Sequence, residues 1–147
     1  MPDRARHVVR CGSRRGDDMN FTQAVSSVLG NYSTFTGRAP RSEYWWWVAF
    51  SILVNIATSV IDTAIFGTYA LVHYGEMTAF TPITTLVGLA LIIPSIAVAA
   101  RRFHDMDRTG WWLLIGFTGI GAFVVFFWFM VKGTPGPNRF GPDPLGQ

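Results

Sequence analysis

Cysteine and charge are both scarce in this chain. One cysteine, Cys11, stands among 147 residues, so no intramolecular disulfide can form and no metal site can be built from thiolates. Charged residues make up 14% and hydrophobic ones 50%, whereas a soluble domain carries about 25% charge. The net charge of +3 is no nucleic-acid signature. Two of those charges come from residues 1–18, and beyond them no basic stripe exists apart from the arginines that flank apolar runs. No nucleic-acid partner is expected.

What the chain does have is three long apolar runs: Tyr44–Phe66 with one charge, Asp62; Ile83–Ala100 with none, extending over residues 82–103 as a helix; and Trp111–Val131 with none. A hydrocarbon core of about 30 Å needs roughly 20 helical residues. All three runs qualify as spans, and the expected fold is an all-α membrane protein with three transmembrane helices. Two of the runs are preceded by arginine and then tryptophan. The blocks are Arg38-Ala-Pro-Arg41-Ser-Glu-Tyr44-Trp45-Trp46-Trp47 and Arg101-Arg102-Phe-His-Asp-Met-Asp-Arg108-Thr-Gly-Trp111-Trp112. Guanidinium groups stay in water while Tyr44, Trp45, Trp46, Trp47, Trp111 and Trp112 anchor at headgroup depth.

Before the first span, Phe21, Ala24, Val25, Val28, Leu29 and Tyr32 recur at helical spacing, with Thr22, Gln23, Ser26 and Ser27 opposite. That pattern predicts a short amphipathic helix lying at the interface. Met1–Asp18 is polar and arginine-rich, without the apolar stretch of a secretory signal; it reads as a disordered extension. Residues 19–132 form the membrane domain. Residues 133–147, rich in proline and glycine, form an extended tail.

Three spans put the Arg38/Arg41 segment and the loop bearing Arg101, Arg102 and Arg108 on one side. The loop Gly67–Thr81, with Glu76 and no lysine or arginine, lies on the other side with the tail's Lys132 and Arg139. Five positive charges against two predict a cytoplasmic N-terminus and a periplasmic C-terminus. A third run broken around Gly116, Gly119 and Gly121 would instead return the tail to the first side.

The polar residues near the spans suggest few roles. Glu43 lies among arginines and is expected to form an interhelical ion pair with Arg102, or with its neighbour Arg101. Arg38, Arg41, Arg101, Arg102 and Arg108 outnumber Glu43, Asp105 and Asp107, so the surplus is expected to meet anionic lipid or a membrane partner. Asn55 falls near the midplane and is expected to pack helices together. Pro94 should kink the second span and free a carbonyl that Ser95 or a neighbouring helix must satisfy. Gly116 and Gly119, with Gly121, offer a small-residue packing patch, and Asp62 sits where it can hydrate. His104, Asp105 and Asp107 form a weak ligand set: Asp107 reads as a helix cap and Asp105 as an arginine partner. No metal, cofactor or catalytic residue is assigned.

Phe35-Thr-Gly-Arg-Ala-Pro-Arg-Ser-Glu-Tyr-Trp-Trp-Trp47, Ala100-Arg-Arg-Phe-His-Asp-Met-Asp-Arg-Thr-Gly-Trp-Trp112 and Gly133-Thr-Pro-Gly-Pro-Asn-Arg-Phe-Gly-Pro-Asp-Pro144 together resemble the signatures of the domain-of-unknown-function 805 family. The resemblance covers Met19–Pro144 and implies a small bacterial inner-membrane protein. Members of that family begin at a methionine-x-phenylalanine, as at Met19-Asn-Phe21, so residues 1–18 resemble an addition and translation is expected to start at Met19. The resulting expectation is a multi-pass inner-membrane protein without intrinsic catalysis, whose Arg/Trp face binds anionic lipid, another membrane protein or a second copy of itself. A small enzyme acting on a lipid headgroup at His104, Asp105 and Asp107 is the alternative from another class. A subunit of an oligomeric transporter is the third.

Overall fold

A computed structural model describes residues 19–73 and 81–146. The expectations for residues 1–18, including Cys11, and for Glu76 lie outside the described residues. The described chain is helical: α1 (Phe21–Gly30), α2 (Arg41–His73), α3 (Pro82–Asp105), a 3₁₀ helix (Gly110–Phe117) and α4 (Gly119–Met130).

α1 starts at a capping box. The Asn20 side chain accepts from Gln23 N at 2.9 Å, and Gln23 Oε1 accepts from Asn20 N at 3.3 Å, so two of the donors left over at a helix start are satisfied reciprocally. Part of its expected apolar face packs: Ala24 and Val28 are fully buried against α2 and α3, whereas Leu29 is exposed. Phe21 meets the Trp46 ring edge-on at 5.7 Å.

α2 and α3 run antiparallel. The start of α2 meets the end of α3 through Glu43 and Arg101, and Asp62 meets the start of α3. Both are long and apolar enough to cross a membrane. Their surfaces say more than their lengths. Only 6% of the most apolar stretch of α2 is buried, and Leu53, Val60 and Leu86 are 59–69% exposed. A core helix of a soluble protein would bury such residues; these suit hydrocarbon.

α3 is held at both termini by other elements. Its own N-cap, Thr81, makes no side-chain cap. Asp62 of α2 does so instead, accepting from Ile83 N at 3.1 Å and Thr84 N at 2.7 Å. Asp62 is therefore fully buried and not hydrated as the sequence suggested. A carboxylate at this end also complements the helix dipole. Pro94 lacks the N–H that would serve Ala90 O, and the Tyr32 hydroxyl donates to that carbonyl instead. Ser95 has a different task, accepting from Trp47 Nε1 at 3.0 Å.

The third apolar run is not a crossing helix. It breaks at Thr118 into the 3₁₀ helix and α4, and both ends of the run sit at the C-terminal end of α3. A Cβ on Gly110 would lie 3.1 Å from Ala100 Cβ, while Val131 O accepts from Arg102 Nη2. At 12 residues, α4 is about 18 Å long, close to half the depth of a bilayer. Gly121 makes the turn, because a Cβ there would lie 1.9 Å from Ile115 O. Gly116 makes ordinary contact with Val125 and Gly119 faces open space, so neither supplies the expected close packing, and the run turns between them at Thr118. The consequence is a second correction. The tail lies at the same end of the bundle as Arg38, Arg101 and Arg102, not at the opposite end.

Tyr32→Phe should lower stability in detergent by about 0.5–1.5 kcal/mol, the net value of one hydrogen bond. In a Pro94→Ala background, where residue 94 regains its own N–H, the same substitution should cost little. Equal costs in both backgrounds, measured by thermal denaturation, would show that Tyr32 does not replace the missing bond.

Candidate functional site

Most of the charge in the described chain gathers where α3 ends. Three peptide segments converge there: the strap Gly37–Pro40 before α2, the last turn of α3, and the tail after α4. Each brings polar groups that the helix end lacks. Ala39 N donates to Arg101 O at 3.1 Å, Arg108 N to Phe103 O at 3.0 Å, Asn138 Nδ2 to His104 O at 2.8 Å and Thr134 N to Asp105 O at 2.8 Å. Carbonyls at a helix C-terminus have no intrahelical partner, and here the rest of the chain supplies one to each of the last three.

Asp105 is the centre. Arg38 reaches its Oδ1 through both Nε and Nη2 at 2.9 Å, and Arg102 Nη1 bonds its Oδ2. All three side chains are at least nine-tenths buried. The arginines also hold the tail. Arg38 donates to Gly136 O and Thr134 O, each at 2.6 Å, and Arg102 to Phe129 O and Val131 O at the end of α4. Gly133 permits this approach, since a Cβ would fall 1.9 Å from Asp105 Oδ2.

Glu43 forms the second pair, and its partner is not Arg102. Arg101 Nη1 lies 3.0 Å from Glu43 Oε1, which also accepts from Ser27 Oγ at 3.0 Å. Arg101 and Arg102 are neighbours on α3, so they project about 100° apart; one faces α2 and α1, the other the tail. Ser27 thus reverses its expected role on the solvent face of α1. Arg101 Nε and Nη2 and Arg102 Nε are buried with no hydrogen-bond partner among the described residues.

The outer residues take separate partners. Arg108 lies over the Trp128 ring at 4.0 Å and the Trp112 ring at 5.7 Å, a cation–π arrangement. Asp107 pairs with Arg139 at 3.1 Å, in the open, and has a positive φ of 55°. It does not cap the next helix, whose N-cap is Thr109. The His104 ring stacks on Phe140 at 4.0 Å, its Nδ1 3.2 Å from Gly37 O. His104, Asp105 and Asp107, adjacent in sequence, therefore face a ring, two guanidinium groups and an exposed arginine. The tryptophans divide as well: Trp47 is buried, Trp46 bonds Met19 O, and Trp111 is 78% exposed. Asn55 bonds Ser51 O of its own helix and does not bridge α2 to α3.

Between the tail and the strap lies a cavity of about 280 Å³ lined by Arg38, Arg41, Lys132, Asp105, Asp143 and Thr134. Arg38 and Arg41 are within electrostatic reach of Arg102, and Asp143 of Asp105. Four cations therefore surround two carboxylates. Lys132 and Asp143 were not legible as site residues, because only the folded-back tail brings them to Asp105.

Removing one partner of a buried pair costs about 3–5 kcal/mol, because the other charge is left uncompensated. Glu43→Gln should destabilise the protein to that extent. The exchange Glu43→Arg with Arg101→Glu should recover part of the loss in a thermal melt, whereas Glu43→Arg with Arg102→Glu should recover none. Recovery in the second pair alone would overturn the assignment of Arg101.

Residues 32–142 match the family described as "Protein of unknown function (DUF805)". The chain is 39% identical over 118 residues to inner membrane protein YhaH of Escherichia coli strain K12, covering 80% of this chain and 92% of that protein. It is likewise 39% identical over 119 residues to inner membrane protein YhaI of the same strain, with the same coverage of each. No solved structure matches the chain. The matched span runs from Tyr32, which donates to the carbonyl that Pro94 leaves unbonded, to the tail around Asp105, and so takes in both long helices, the folded-back third run and the arginine cluster. With its two exposed apolar helices and its relatives in the inner membrane, this chain belongs to the DUF805 family of integral membrane proteins.

Proposed function

We propose that the arginine-rich end of the bundle faces the cytoplasm and binds the phosphate of an anionic lipid in the cavity between strap and tail. The observation that carries this reading is the lining of that cavity, where Arg38, Arg41 and Lys132 meet only Asp105 and Asp143. Arg38 is committed to Asp105 and to the tail carbonyls, so Lys132, exposed at the edge of the cavity, is the cation assigned to the phosphate. Near a charged leaflet it is worth on the order of 1 kcal/mol. The lipid role expected of Arg38, Arg101 and Arg102 passes to it, because those three arginines hold the fold. Arg108, on its indoles, marks the headgroup level together with exposed Trp111.

The orientation follows from the positive charges. With the third run folded back, Arg38, Arg41, Arg101, Arg102, Arg108, Lys132 and Arg139 all belong to one end, and the loop between α2 and α3 has no lysine or arginine. Seven against none is a stronger bias than the sequence count suggested, and it supports a cytoplasmic tail, not a periplasmic one. In this reading the 3₁₀ helix and α4 enter the bilayer part-way and return, and α1 lies along the interface.

Two measurements test this proposal. A reporter active only in the cytoplasm, fused after Gln147, should work, and one active only in the periplasm should work when inserted among residues 74–80. The reverse pattern would overturn the orientation. Lys132→Gln should reduce retention of phosphatidylglycerol over phosphatidylethanolamine by about fivefold in native mass spectrometry, with the melting temperature little changed. Undiminished selectivity would remove the cavity from consideration as the lipid site.

A further inference from the structure

A second surface on this molecule calls for a partner, and it lies within the membrane. Trp47 bonds Ser95 at one end of the α2–α3 pair, and Asp62 bonds Ile83 and Thr84 at the other. Between these ties no side-chain hydrogen bond joins the two helices among the described residues. A groove of about 670 Å³ opens there instead, with Ser51, Asn55 and Ser59 of α2 on its wall. These three stand four residues apart, on one face of the helix. Asn55 is 14 residues from the start of α2, about 21 Å along the axis, near the middle of a bilayer.

Their hydrogen bonding is local. Ser51 Oγ donates to Trp47 O at 2.9 Å, and Asn55 Nδ2 donates to Ser51 O at 2.8 Å. An amide has two N–H donors and an acceptor oxygen, and the bond to Ser51 uses a single N–H. Lipid tails offer nothing to the rest, whereas polar side chains at this depth usually bond across a helix–helix interface. Asn55 does not do so within the chain.

We infer that the groove is the docking face for a second copy of this chain, with Asn55 paired to Asn55 of the other copy. The argument for a second copy is one of symmetry. Insertion fixes both copies in the same orientation, so a twofold axis must run along the membrane normal, and a residue near that axis meets its own equivalent at its own depth. The amide is its own complement: two asparagines can exchange N–H···O=C bonds reciprocally. Ser51 and Ser59, one turn to either side, are small enough for the helices to approach closely. A lipid tail filling the groove would offer the amide no partner.

Cross-linking in native membranes tests the inference. In a Cys11→Ser background, Ser51→Cys and Ser59→Cys should each yield an oxidant-dependent species of twice 16.4 kDa. Leu53→Cys and Ala57→Cys, on the opposite face of α2, should not. Asn55→Leu should weaken the dimer about tenfold in a dilution series in mild detergent, with helicity by circular dichroism unchanged; Asn55→Gln should retain much of it. Equal cross-linking on both faces, or a dimer indifferent to Asn55→Leu, would overturn the inference. So would a monomer that carries a tightly held lipid in native mass spectrometry.

Discussion

Asp105 is one carboxylate with two guanidinium groups, and much of the molecule is arranged around that arithmetic. Its Oδ1 belongs to Arg38 from the strap and its Oδ2 to Arg102 from its own helix, while its backbone oxygen receives Thr134 of the tail. Three segments far apart in sequence are thereby tied to one helix end. The arginines spend their remaining donors on carbonyls at the end of α4 and in the tail. A chain of proline and glycine that has no hydrophobic pattern of its own is ordered by these bonds. Charges this deeply buried contribute little net stability as pairs, but losing one is costly, so they enforce a single arrangement.

The same principle explains why α3 lies at the centre. Its N-terminal amides are capped by Asp62 from α2, its proline gap is met by Tyr32 from the segment after α1, and its C-terminal carbonyls are met by the strap, the loop and the tail. Carboxylate at one terminus and guanidinium at the other both complement the helix dipole. A helix in hydrocarbon must have its polar groups satisfied by protein, and this chain does so by bringing a different element to each gap.

That arrangement separates structural arginines from exposed ones. The side chains of Arg38, Arg101 and Arg102 are interior, whereas Lys132 and Arg139 are exposed. It also separates His104, Asp105 and Asp107. A reaction centre built on those three would need them convergent, and they are bound to Phe140, to the two buried arginines and to Arg139 respectively.

The membrane class, the two long helices and the buried face of α1 were legible in the sequence, because length, apolarity and 3.6-residue periodicity act locally and do not depend on what lies opposite. So was the attraction between Glu43 and the arginine pair, though not which arginine, since neighbours on a helix diverge by about 100° and packing alone decides which one turns inward. The third run deceived for a related reason. Hydropathy counts apolar residues and does not register that Gly121 lets the backbone close on Ile115 O within a turn. Once that run folds back, the tail changes ends, Lys132 and Asp143 reach the cavity, and Gly133 meets Asp105. Composition and periodicity determined that this protein lives in a bilayer. Where its tail lies and which charges are buried were decided by tertiary contacts between residues that no local pattern connects.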